Sequence, residues 1–179
     1  MRGFAVVFAV LTAFAGTAIA QTPQAPKPGP EHQRLGAFVG NWTFEGDVKP
    51  GPMGPGGKMT GTDRIDWVPG NFFVQRLYKG KSPMGEMQGL EILGYDAAKK
   101  VYTFNSFDSM GMRGTGTMTV KGNTWTSTGT ATMGTAVMHD RCTLDFGAGT
   151  TTLSIKCDMS TDGGKTWSPT FEGKATKAK

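Results

Sequence analysis

The chain has 179 residues, 37% of them hydrophobic, with 27 glycines, 10 prolines and two cysteines. Lys and Arg outnumber Asp and Glu by 19 to 14, for a formal net charge of +5, and the basic residues are scattered apart from Lys174, Lys177 and Lys179 at the tail. Nucleic-acid binding calls for basic residues clustered on one element and is excluded on that ground, and a chain of this size suits one domain whose core stands without metal staples.

At the N-terminus Arg2 precedes an apolar run, Phe4 to Phe14, broken only by Thr12, and Ala18-Ile19-Ala20 follows. A basic start, a short apolar stretch and a small-x-small site are the three zones of a cleavable secretory signal. Residues 1–20 are therefore expected to be removed, leaving a periplasmic or secreted protein. The run is too short for a permanent membrane span, and no cysteine follows the cleavage site to take a lipid, so no stable membrane anchor is expected. Residues 21–30, with four prolines, read as an extended flexible leader. A single domain is expected over 31–179.

Pro30 suits the first turn of a helix. Leu35, Phe38 and Val39 recur at i, i+3 and i+4 before Gly40, so the spacing predicts one short amphipathic helix over 30–39. From Trp42 onward β-branched and aromatic residues alternate with polar ones between glycine-containing turns. This predicts strands over 41–48, 57–68, 71–80, 86–95, 100–108, 112–121, 124–133, 136–146, 151–159 and 167–176. An open twisted sheet of about ten strands would expose two long edges, so the expected fold is all-β, an antiparallel up-and-down barrel. A two-sheet sandwich is the alternative.

Four short motifs follow one another along the chain: Glu31-His32-x-x-Leu35, Gly40-Asn41-Trp42-Thr43, Leu93-Gly94-Tyr95-Asp96 and Phe107-Asp108-Ser109-Met110-Gly111. Gly40-x-Trp42 after a short helix resembles the opening of lipocalin-like barrels, where the helix plugs one end and the tryptophan packs against it. The ordered series resembles a bacterial exported family known as domain of unknown function 1579, grouped with the lipocalin-like (calycin) barrels. The resemblance implies that fold and an internal cavity. It brings no agreed activity and no catalytic residues. Taken singly, Trp42, Tyr95 and Asp108 read as packing and turn residues.

The two cysteines lie on neighbouring predicted strands. Cys142, Leu144 and Phe146 share one strand face, and Leu153, Ile155 and Cys157 share one face of the next. A single hairpin register sets 142 against 157, 144 against 155 and 146 against 153, with the reversal near Gly149-Thr150. Directly opposed residues are close enough for a disulfide, and export favours its survival, so Cys142–Cys157 is expected to be bonded. Two free buried thiols are the alternative.

Ser160-Thr161-Asp162-Gly163-Gly164-Lys165-Thr166-Trp167 fits the S-x-D-x-G-x-T-W pattern of the Asp-box in sialidase-type propellers. A sialidase needs several copies and an arginine cluster. One copy reads as a stabilised hairpin turn, with Asp162 accepting backbone amides and Trp167 packed beneath. Among the eleven methionines only Met84/Met87 and Met110/Met112 are close in sequence, without His or Cys beside them, which favours flexible packing over Cu(I). For haem the chain offers His32 and His139. The inward set read from Cys142, Leu144 and Phe146 takes in Asp140 and Met138 and turns His139 outward. No resident metal or cofactor is expected.

No nucleophile elbow and no zinc spacing is present. The leading expectation is a monomeric barrel that binds a small, largely apolar ligand in its mouth. Phe72, Arg76, Tyr78, Glu91, Phe107, Met112 and Trp125 are the candidate lining, with Gly40, Trp42, Asp162 and Trp167 structural. The alternatives are a hydrolase or isomerase with Glu91 or Asp108 as base, and a structural or stress-related envelope protein with a filled barrel. The histidine count and phase lead to a spectroscopic expectation. Freshly purified protein has no Soret band and no stoichiometric copper by elemental analysis; either signal contradicts it.

Overall fold

The computed structural model describes residues 25–51 and 54–178. The signal segment, and the leader as far as residue 24, lie outside the described residues. Ten strands follow one short helix. The strands are β1 (Gly40–Val48), β2 (Gly57–Trp67), β3 (Val74–Ser82), β4 (Gly85–Asp96), β5 (Val101–Asp108), β6 (Arg113–Lys121), β7 (Thr124–Met133), β8 (Ala136–Phe146), β9 (Thr152–Ser160) and β10 (Ser168–Lys177). Each pairs antiparallel with its sequence neighbour, and β10 returns to β1, so the sheet is a closed barrel. The strand boundaries follow the alternation in the sequence. The largest difference is at β3, which starts at Val74 because Gly70 and Asn71 take positive φ values of 95° and 58° in the preceding turn.

The helix α1 spans Pro30–Arg34 and continues as a 3-10 turn over Leu35–Ala37, in place of one α-helix over 30–39. Gly36 is a poor helix former, and 3-10 geometry eclipses residues i and i+3. Leu35 and Phe38 thus line up on the side facing the barrel. Both are buried with Trp42. The Phe38 ring stands edge-on to Trp125 at 4.9 Å and to Phe146 at 5.1 Å. The Trp42 indole N–H donates to the Phe38 carbonyl at 2.7 Å, which ties plug to strand. Tyr102 completes this end by donating its hydroxyl to the Glu31 carboxylate at 2.7 Å. Burial, together with that carboxylate, raises the phenol well above its ordinary pKa.

The interior is set by rings lying on glycines. Phe44 pairs with Gly61 of β2, which pairs with Gly80 of β3, and a Cβ on either glycine would press on the Phe44 ring. Phe104 repeats the arrangement over Gly116 and Gly129: a Cβ on Gly129 would lie 2.7 Å from the ring. Tyr78 covers Gly89 in the same way, and Phe171 covers Gly46 and Gly173. Glycine in a strand is costly unless something covers it, and cross-strand aromatics are such a cover. Rings held against glycines of the neighbouring strands sit along the wall of the lumen.

In the β8–β9 hairpin Cys142 opposes Cys157, Leu144 opposes Ile155 and Phe146 opposes Leu153. The cysteines are disulfide-bonded, with Cα atoms 4.1 Å apart. The Asp-box forms the β9–β10 turn. The Asp162 carboxylate accepts from the backbone N–H groups of Lys165 and Thr166 and from the Thr166 and Ser160 hydroxyls, which hold its pKa far below the usual carboxylate range. The Trp167 indole N–H donates to the Gly164 carbonyl, and the Arg141 guanidinium lies 4.4 Å from the Trp167 ring.

Bridging residues fifteen apart restricts the unfolded chain, and reduction is expected to cost about 3 kcal/mol of stability. Urea unfolding with and without reductant measures this. The unfolded, unreduced protein titrates with no free thiols.

Candidate ligand cavity

The lumen keeps a cavity of about 360 Å³, within the range used by small-molecule sites. Towards the plug it is bounded by Phe38, Trp42, Ile65, Leu93 and Leu153. Met59, Met87 and Phe171 line it nearer the opposite end. Cys142 and Cys157 belong to the wall between. Most of this surface is apolar because the inward parity of the strands is mainly apolar or glycine.

The exception is a charged row on β2, β3 and β4. Arg76 stands directly opposite Glu91 of β4 and next to Asp63 of β2. Its Nη1 donates to Glu91 Oε2 at 3.0 Å and its Nη2 to Asp63 Oδ1 at 3.1 Å. The side chains of Arg76, Asp63 and Glu91 are 31%, 10% and 17% accessible, and all three line the cavity. Burial works against the guanidinium charge, but the facing charges of Asp63 and Glu91 outweigh it and hold Arg76 protonated more firmly than a free arginine. The Tyr78 ring lies 4.9 Å from the guanidinium. Burial, with the negative charge of Asp108, pushes the Tyr78 phenol up to about 12.

Asp140, on β8, also lines the cavity. Burial and then the charge of Glu91 raise its pKa, while its own backbone amide and His139 pull partly the other way. The cavity wall thus carries three carboxyl groups, one guanidinium and one phenol. His139 is half-buried, outside the cavity lining. Among the described residues no group of three or more His, Cys, Asp or Glu side chains is placed to hold a metal ion.

Of the seven candidate lining residues, the fold brings Arg76, Tyr78 and Glu91 together. Trp125 points inward but is buried in the plug packing, its ring 4.6 Å from Tyr102. Phe72 lies in the β2–β3 connection, edge-on to His32 at 5.0 Å, flanking the plug. Phe107 is on the outer wall, 50% exposed, between Leu90 and Arg113. Met112 sits in the β5–β6 turn, its N–H donating to Asp108. Asp108 is the acceptor of that turn, bonding Met110 as well. Asp63 and Asp140 are the charged lining residues absent from that set. Both share strand parity with buried neighbours, Asp63 with Ile65 and Asp140 with Met138.

A closed ten-strand antiparallel barrel, plugged at one end by a helix running into Gly40-Asn41-Trp42 and hollow within, is a lipocalin-like barrel. The chain belongs to the family described as "Protein of unknown function (DUF1579)", which residues 27–176 match. Among solved structures the fold is similar to that of Rv2717c from M. tuberculosis, with 15% identity and a TM-score of 0.60 over 84% of this chain and 99% of that one. It is similar also to the S-type phycobiliprotein lyase CPES from Guillardia theta, with 14% identity and a TM-score of 0.54 over 83% and 93% of the two chains. No curated protein matches the sequence.

The charged row can be tested through its cation. Arg76→Met leaves Asp63 and Glu91 buried without compensation, an expected loss of about 2–4 kcal/mol near neutral pH. Chemical unfolding of Arg76→Met beside the unaltered protein measures the loss. A variant as stable as the unaltered protein contradicts the assignment.

Proposed function

We propose that this protein is an exported barrel that holds one small, largely apolar molecule inside its lumen. The observation that carries this reading is the cavity: Phe44, Tyr78, Phe104 and Phe171 stand against glycines of neighbouring strands, and about 360 Å³ of the lumen is left open. A structural protein gains from filling such a space, because packing defects are destabilising. The nominated bases of an enzymatic alternative are both engaged, Glu91 by Arg76 and Asp108 by its turn amides, which favours binding over catalysis. The disulfide and the signal-like N-terminus support an oxidising compartment. Among the described residues no helix is long and apolar enough to cross a membrane. Closure removes the strand edges through which sheets pair, consistent with a monomer.

Native mass spectrometry of the protein, purified without detergent from expressing cells, tests the proposal. The expected spectrum shows a monomer carrying one small molecule that is released on unfolding. A bare mass, with no uptake of any neutral apolar probe, contradicts it.

A further inference from the structure

The polar part of the cavity has an unbalanced charge, and that imbalance restricts what can bind. The titratable groups that line it are Asp63 on β2, Arg76 and Tyr78 on β3, Glu91 on β4 and Asp140 on β8. His139 is the neighbour of Asp140 outside the lining, and no lysine is among the lining residues. Among the described lining residues Arg76 is the one cation, and its charge is shared between two facing carboxylates. Nη1 bonds Glu91 and Nη2 bonds Asp63, while Nε is buried with no partner and no surface open to a ligand. A carboxylate entering the cavity would compete with Asp63 and Glu91 for a guanidinium they already neutralise and would add a negative charge beside three acids.

The opposite holds for a cation. Asp140 lines the cavity with no ion pair and no hydrogen bond from another residue among those described. Glu91 bonds Arg76 through Oε2, and Oε1 takes no donor from the described side chains. Gly129, directly opposite Asp140 in the β7–β8 pair, leaves open the space beside Oδ1: a Cβ there would stand 3.1 Å from that oxygen. An ammonium group carries three donors and no acceptor, and a charge-assisted bond in a low-dielectric site is stronger than a neutral one.

Resting on the binding role proposed above, we infer that the cavity selects by charge: it takes an apolar molecule whose single polar end is a cation, directed at Asp140, and rejects the matching carboxylate. The apolar wall formed by Phe44, Leu144 and Ile155 receives the rest of the molecule. Because burial and the charge of Glu91 raise the Asp140 pKa, an ordinary carboxylate would still be ionised at pH values where Asp140 has begun to protonate. The preference for the cation fades on acidification in that range.

Three probes of one chain length separate the possibilities: decylammonium, decan-1-ol and decanoate, titrated calorimetrically into the full-length mature protein and into Asp140→Asn. The expected order at neutral pH is ammonium, then alcohol, then carboxylate, with ammonium ahead of alcohol by at least about tenfold. In Asp140→Asn the ammonium advantage falls away while decan-1-ol binds as before, which also shows the barrel intact. Lowering the pH weakens decylammonium and leaves decan-1-ol unchanged. Decanoate binding as well as decylammonium, or an ammonium advantage that survives Asp140→Asn, overturns the charge selectivity and leaves the binding role standing. Failure of all three probes to bind overturns both.

Discussion

The pairing of β1 with β10, from Trp42 opposite Lys177 to Val48 opposite Phe171, joins the first strand to the last. All nine other strand pairs are between sequence neighbours and could form as local hairpins. Without this one, the sheet is an open ribbon with two unpaired edges and an apolar face turned to water. With it, the inward face of every strand is enclosed at once. The same pairing fixes the plug, because the helix runs directly into β1 and Trp42 bonds back to Phe38. Ala178, just beyond β10, extends the seam by donating its N–H to the Asn41 carbonyl. Closing so long a loop is entropically expensive, and contacts of such sequence separation slow folding.

Once the sheet is closed, the contents of the lumen depend on how its side chains lean. A barrel of this size could be packed solid. Here cross-strand registers set Phe44, Tyr78, Phe104 and Phe171 beside inward-facing glycines, and each ring packs against them. The glycines shape the wall and the rings cover them, leaving the middle free. The same parity brings Asp63, Arg76 and Glu91 into one buried row. Ions there persist because each carboxylate has a guanidinium donor about 3 Å away and because the residual surface opens on a cavity that water or a ligand can occupy. Asp140 is the group this arrangement leaves without a counterion, and it gives the cavity its chemical asymmetry.

Much of the fold was legible because strand alternation with short turns leaves few topologies. The disulfide register followed from three residue pairs that had to agree with one another, and the structure has all three. The helix was read as too regular, since 3.6-residue periodicity cannot distinguish an α-helical turn from a 3-10 turn when the apolar spacing is i, i+3. The site was harder. Phe107 looks like a lining residue by type, yet Phe104 and Tyr102 fix the inward parity of β5 and send Phe107 out. Trp125 obeys parity but lies at the height of the plug, and height along the barrel follows from stagger rather than from local sequence. Asp63 was available to the parity argument through Ile65. The pressing of rings onto glycines was not, because it depends on which residues of different strands fall side by side.

The hollow lumen is the claim on which the functional reading depends, and diffraction from crystals held under xenon tests it most directly. Xenon enters apolar cavities without needing a particular ligand chemistry. The expected map shows xenon within the barrel, against Phe44, Leu144 and Ile155, with the plug unchanged. A lumen without xenon, filled instead by the rings of Phe44, Phe104 and Phe171 meeting across its centre, would contradict the hollow barrel.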